Sequence, residues 1–154
     1  MQHLFQGLLL LCALTSPLFA TPAEKAWGVY QIHWGAAAFE RGLQGQITQL
    51  SARPDYVMFF RDLSPRRGFP EDVASICYEY GAIPVINQEL WIWGQRTKGS
   101  KSWLKSILQG DLDRYWRRWA KDAKAFGKPL ILRLGFEMNG DWFAWGQQPA
   151  DFIA

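Results

Sequence analysis

Thiols and imidazoles are scarce in this chain: of 154 residues, two are cysteine and two are histidine. Cys12 falls in an N-terminal apolar run and follows Leu11 rather than a small residue, so a lipid-attached cysteine is not favoured. With that run removed as a leader, Cys77 is the single thiol left and no internal disulfide can form. His3 leaves with the same leader. His33 has no His or Cys companion at metal-ligand spacing, so no metal site is expected and His33 reads as a hydrogen-bonded wall residue. Long blocks of one charge are also missing. The 17 basic and 14 acidic residues are scattered, and the densest basic spots, Arg66-Arg67 and Arg117-Arg118, read as solvated loop or helix faces. No surface that tracks phosphates follows from them, and nucleic acid is not an expected partner. No linker or low-complexity segment interrupts the chain.

What is present starts with the leader itself. Residues 1–20 are apolar through positions 8–14, break at Pro17 and end on Ala20, a small residue suited to cleavage. The run is too short to cross a bilayer comfortably. It reads as a secretory signal peptide, so residues 21–154 are expected to be secreted or periplasmic, with no membrane contact after cleavage.

From there, short apolar runs alternate with amphipathic stretches, the rhythm of βα units around a parallel sheet. The first strand is expected over 27–32. A helical stripe of Phe39, Leu43, Ile47 and Leu50 follows, and a second strand over 56–60. Pro70 suits the first turn of the next helix, with Glu71 and Asp72 at its positive end and Val73, Ile76, Cys77 and Tyr80 on its buried stripe. Gly81 stops it, and 83–86 is apolar on both faces, as a covered parallel strand should be. A long loop rich in Trp, Gly and Lys comes next. The helix over 111–126 places Leu112, Tyr115, Trp116, Trp119, Ala120 and Ala123 on one stripe, which makes Trp116 and Trp119 core residues first. A fourth strand is expected over 130–136, and the helix after it, starting near Pro149, is expected to be missing.

A βα series fits either an open doubly wound sheet or a closed barrel. The Gly-rich phosphate turn expected after the first strand of the former is not here, so the α/β class narrows to a (β/α)8 TIM barrel. Such a barrel takes about 250 residues, so roughly the first four units are present and the remaining half is a required partner.

Strict alternation along the fourth strand turns Leu130, Leu132, Leu134 and Phe136 toward the helices, and Ile131, Arg133, Gly135 and Glu137 toward the barrel axis. Glu137 then stands at the C-terminal strand end, where barrel enzymes hold their chemistry. A plainer reading is a carboxylate that pairs with a buried Arg133, a charge that needs an anionic partner. Asp62, at the end of the second strand, is a partner for either Arg133 or Arg61. What favours chemistry is the loop behind Glu137, where Asn139, Asp141, Trp142 and Trp145 gather hydrogen-bonding groups and aromatic faces.

The Glu-Met-Asn-Gly run at 137–140, with Trp-Phe at 142–143 and Trp-Gly at 145–146, closely resembles glycoside hydrolase family 26, which includes β-mannanases. The resemblance extends back through 110–115, 81–84 and 54–62, and so covers most of the mature chain. It implies a retaining hydrolase of β-linked polysaccharide, most simply an endo-β-1,4-mannanase without cofactor or metal. Glu137 would be its general acid/base, and a nucleophilic Glu on strand 7 lies outside this sequence. It further implies substrate contacts from Trp142, Trp145 and Asn139, and from Glu89, Trp91 and Trp93 after the third strand; the two tryptophans read equally well as caps on the barrel core. The family commonly has a His before the acid/base, where this chain has Phe136. Were a bulge to turn Phe136 inward, the site would exchange a polar ligand for an apolar wall, which opens β-glucan and β-xylan as substrates. A non-catalytic carbohydrate-binding protein with a Trp-lined cleft, or a small enzyme pairing Glu137 with Glu89 or Asp62, are the other readings.

Overall fold

The computed structural model describes residues 25–32, 35–64, 68–93 and 103–153. Four strands, β1 (Gly28–Tyr30), β2 (Tyr56–Arg61), β3 (Ile83–Gln88) and β4 (Ile131–Leu134), form one sheet in the order β1-β2-β3-β4. Every neighbouring pair is parallel. Helices alternate with them: α1 (Ala36–Leu50), α2 (Glu71–Glu79), α3 (Trp103–Leu108), α4 (Asp113–Phe126) and α5 (Pro149–Ile153). This α/β arrangement is compatible with part of a (β/α) barrel. No helix among the described residues is long and apolar enough to cross a membrane. The expected leader and His33 lie outside the described residues.

Alternation within the strands separates two faces. Along β2 the buried positions are Val57, Phe59 and Arg61, while Tyr56, Met58 and Phe60 on the other face are half-buried. Val57, Phe59 and Ile86 meet Phe39 and Leu43 of α1, Val73, Ala74, Ile76 and Cys77 of α2, and Trp119 of α4 in one core. Edge-to-face rings stitch it: Phe39 to Phe59 at 5.5 Å, and Phe69 to Trp119 at 5.3 Å. The Cys77 thiol lies inside this core, and burial pushes its pKa up to about 12.

The expected strands and main helices are all found, with differences that have physical causes. Leu50 is the last residue of α1 and is exposed, and Ala120 of α4 faces solvent while Trp119 alone of that helix is buried. The loop after β3 contains a helix, α3, whose Leu104 is buried among aromatic rings; six residues are too few for a periodic signal to stand out in sequence. The helix near Pro149, expected to be missing, begins in this chain as α5. β4 is shorter than expected, stopping at Leu134.

Candidate active site

β4 stops because of backbone conformation, and the site is built on that stop. Gly135 (φ 52°) and Glu137 (φ 54°) both lie in the left-handed region, two turns of handedness within three residues, so strict alternation ends with Leu134. Phe60, Asn87 and Arg133 are register neighbours on the face turned away from the helices. Phe136 joins that face: its ring meets Phe60 edge-on at 5.0 Å, and the Arg133 guanidinium lies 5.9 Å from its centroid. The outward orientation given by alternation is thus corrected to an inward one. Glu137 is not the last residue of the strand but the third beyond it, and it is exposed.

The loop after β4 folds back on itself. Gly140 N–H donates to Glu137 O (3.0 Å), Gln147 N–H to Met138 O (2.8 Å) and Gly146 N–H to Phe143 O (3.0 Å). Trp145 Nε1 donates to Phe136 O at 2.8 Å, and its ring is fully buried, stacked on Phe143 with centroids 4.4 Å apart. Expected as a sugar platform, Trp145 is instead the keystone of an aromatic cluster with Phe136, Trp91 and Phe143 over the end of the sheet. Trp142 is its opposite. The residue is 61% exposed, and its Nε1 donates to Glu137 Oε2 at 2.8 Å. Asn139 stands exposed on the same loop, at the rim of a cavity of about 360 Å³ between this loop and α5, lined also by Met138, Gln147, Pro149 and Phe152.

The residues after β3 are gathered differently. Trp91 is buried against Trp145 and Phe143, so it caps the core. Trp93 ties two strand ends together: its backbone N–H donates to Asp62 Oδ2 (3.0 Å) and its Nε1 to Glu89 Oε2. Asp62 and Glu89 are both buried, so two of the acidic residues singled out in sequence face the protein interior rather than a cleft. Arg133 was expected to be buried with an anionic partner. It is exposed, its Nη1 3.5 Å from Met58 Sδ, and solvent removes the need for a buried counter-charge.

Three residues that sequence reasoning passed over shape this region. Gly135 sets the stop. Gly140 seats Trp142, since a β-carbon there would collide with Cε2 and Cζ2 of the Trp142 ring. Asn87 is buried on the inner face, its amide with no hydrogen-bond partner among the described residues. Only its position past an apolar strand hinted at a role, and that pattern reads equally as a strand end.

Glu137 and Trp142 thus put an exposed carboxylate beside an exposed indole, past the C-terminal ends of parallel strands. Comparison with known proteins points to a glycoside hydrolase-like relationship. Over 91 residues, 59% of this chain, the sequence is 33% identical to Endoglucanase H of Acetivibrio thermocellus, a distant relationship to a glycoside hydrolase. The matched stretch spans 9% of that protein's length. No family model matches the chain.

Proposed function

We propose that this chain supplies the acid/base half of a retaining glycoside hydrolase of family 26, an endo-acting enzyme on a β-linked polysaccharide, with β-1,4-mannan as the first substrate. The observation that carries the reading is Glu137: an exposed carboxylate held by the indole N–H of an exposed tryptophan. Retention needs a second carboxyl group about 5 to 5.5 Å from the first, one protonating the leaving oxygen while the other attacks the anomeric carbon. Asp62 and Glu89 are buried and engaged by Trp93, which argues against either as that nucleophile. The nucleophile then comes from the remaining half of a closed barrel. In this reading Trp142 offers its ring to the C–H face of a sugar, and Asn139 its amide to hydroxyls.

A second substrate reading rests on Phe136. Turned inward, it gives an apolar wall at a point where family 26 commonly has a His, and the relative found is an endoglucanase. β-Glucan therefore belongs beside mannan in the assay, with β-xylan as a third. The test is Glu137→Gln in a chain that also carries the completing strands. Loss of hydrolysis by about 10²–10⁴-fold in kcat with oligosaccharide binding retained supports the enzyme. A parent that binds glycan yet hydrolyses none of the three would replace it with a carbohydrate-binding protein.

A further inference from the structure

Glu137 has two carboxylate oxygens, and the structure treats them differently. Oε2 receives the Trp142 indole N–H at 2.8 Å. That bond depends on a specific seat. Trp142 folds back over the backbone of Gly140, two residues earlier, and reaches the carboxylate only because position 140 has no β-carbon in the way of its six-membered ring. Gly140 is buried although Trp142 above it is exposed, and the turn is held by Gly140 N–H on Glu137 O at 3.0 Å. Arg133 does not compete for the carboxylate, its guanidinium being turned to Met58 and Phe136.

We infer that Trp142 is a positioning residue that directs the catalytic proton of Glu137 to Oε1, with Gly140 as the seat that makes this possible; the inference rests on the acid/base reading of Glu137. An indole N–H can only donate. In the protonated acid, the carbonyl oxygen is the better acceptor and the hydroxyl oxygen the poorer one, so the oxygen facing Trp142 is the carbonyl and the O–H sits on Oε1. In the first step the nucleophilic carboxylate of the completing half bonds to the anomeric carbon as the bond from that carbon to the glycosidic oxygen cleaves; the Oε1–H bond breaks, its proton passes to that oxygen, and the leaving sugar departs as an alcohol. The O–H electron pair stays on the carboxylate, whose Oε2 keeps the indole bond, now charge-assisted and stronger. In the second step water attacks the anomeric carbon, breaking its bond to the nucleophilic carboxylate, which leaves with that electron pair, and the water gives up a proton to Oε1. Trp142 therefore favours the state formed as the proton leaves, and it does so through its nitrogen, independently of any sugar on its ring face.

Two measurements test this. In the full chain with ¹⁵N-labelled tryptophan, the Trp142 indole resonance, assigned by its disappearance in Trp142→Phe, is expected away from the position of free, exposed indoles. It should move to that position in both Glu137→Ala and Gly140→Ala. Gly140 is not in the left-handed region, and the three atoms nearest an alanine β-carbon there all belong to the Trp142 ring. In the enzyme with its completing strands, Trp142→Phe keeps an aromatic face and loses the N–H; kcat is expected to fall about tenfold with KM within about twofold. An unshifted resonance in both alanine variants, or an unchanged kcat in Trp142→Phe, would overturn the inference. A parent without hydrolysis sinks the hydrolase reading alone, since the resonance still reports whether Trp142 holds Oε2.

Discussion

Gly135 is the residue on which the candidate site turns, in the literal sense that β4 ends there. Its φ of 52° is open to glycine and strained for anything larger, and an added β-carbon would sit 2.8 Å from Phe152 Cε2 and 2.9 Å from Leu90 Cδ1. Gly135→Ala is therefore expected to destabilise the fold by about 1–3 kcal/mol, from backbone strain and from the shift forced on two packed side chains. Urea unfolding should show a lower midpoint with an unchanged slope. Glu137, with φ 54°, accepts the same conformation without glycine's freedom. Strained backbone at an exposed carboxylate is a common mark of a functional position, and it arises from tertiary packing rather than from any local run of residues.

At the scale of elements, α2 and α4 each bury a titratable group that the fold prefers neutral. The Cys77 thiol is raised from 9.0 to about 12 by burial, partly offset by a backbone hydrogen bond. The Tyr115 hydroxyl is raised from 10.0 to about 12, first by burial and then by Asp62, with Arg61 and Arg118 pulling the other way. A group held protonated more tightly when folded contributes stability that is complete below its unfolded pKa and is lost as pH rises through the folded one. Stability should therefore hold to about pH 9 and decline between pH 9 and 12, measured as denaturation midpoints across that range. Cys77 should not react with a thiol reagent near pH 8 until the chain is unfolded. These same elements were legible in sequence because their information is local: Val73, Ile76 and Cys77 at helical spacing, the apolar β3, and the glycine that closes α4. The site was legible only in part. The sequence motif singled out Glu137 and Trp142, but the inward turn of Phe136 follows from left-handed residues that alternation does not anticipate, and the burial of Trp145 and the exposure of Arg133 from tertiary packing that alternation does not report. α3 escaped for a related reason, its partners being the aromatic cap and not its own periodicity.

The whole molecule has a sheet that, among the described residues, is covered on one face and open at both edges. Tyr30 of β1 and Ile32 just beyond it are exposed at 46% and 48%, and β4 leaves Ile131 and Leu134 exposed at 42% and 48%. Each outer strand also presents a row of backbone donors and acceptors that a further strand can pair with. In a closed barrel the remaining strands would take those groups, the fifth beside β4 and the eighth beside β1, and cover those side chains. Expressed as this chain alone, the protein is expected to self-associate, most simply through β4 of one copy against β1 of another, with sedimentation coefficients that rise with concentration. Ile131→Lys with Leu134→Lys should shift the distribution toward monomer, because inward or edge lysines oppose strand addition. A monomer with sharp thermal unfolding at all concentrations would sink this expectation, and its consequence would reach the chemistry. A half-sheet stable by itself would have no need of completing strands, the nucleophile would then have to be found in this chain, and Asp62 and Glu89 would have to leave the interior and their bonds to Trp93 to serve. The state of association of the chain is thus the cheapest measurement that bears on where the second carboxylate comes from.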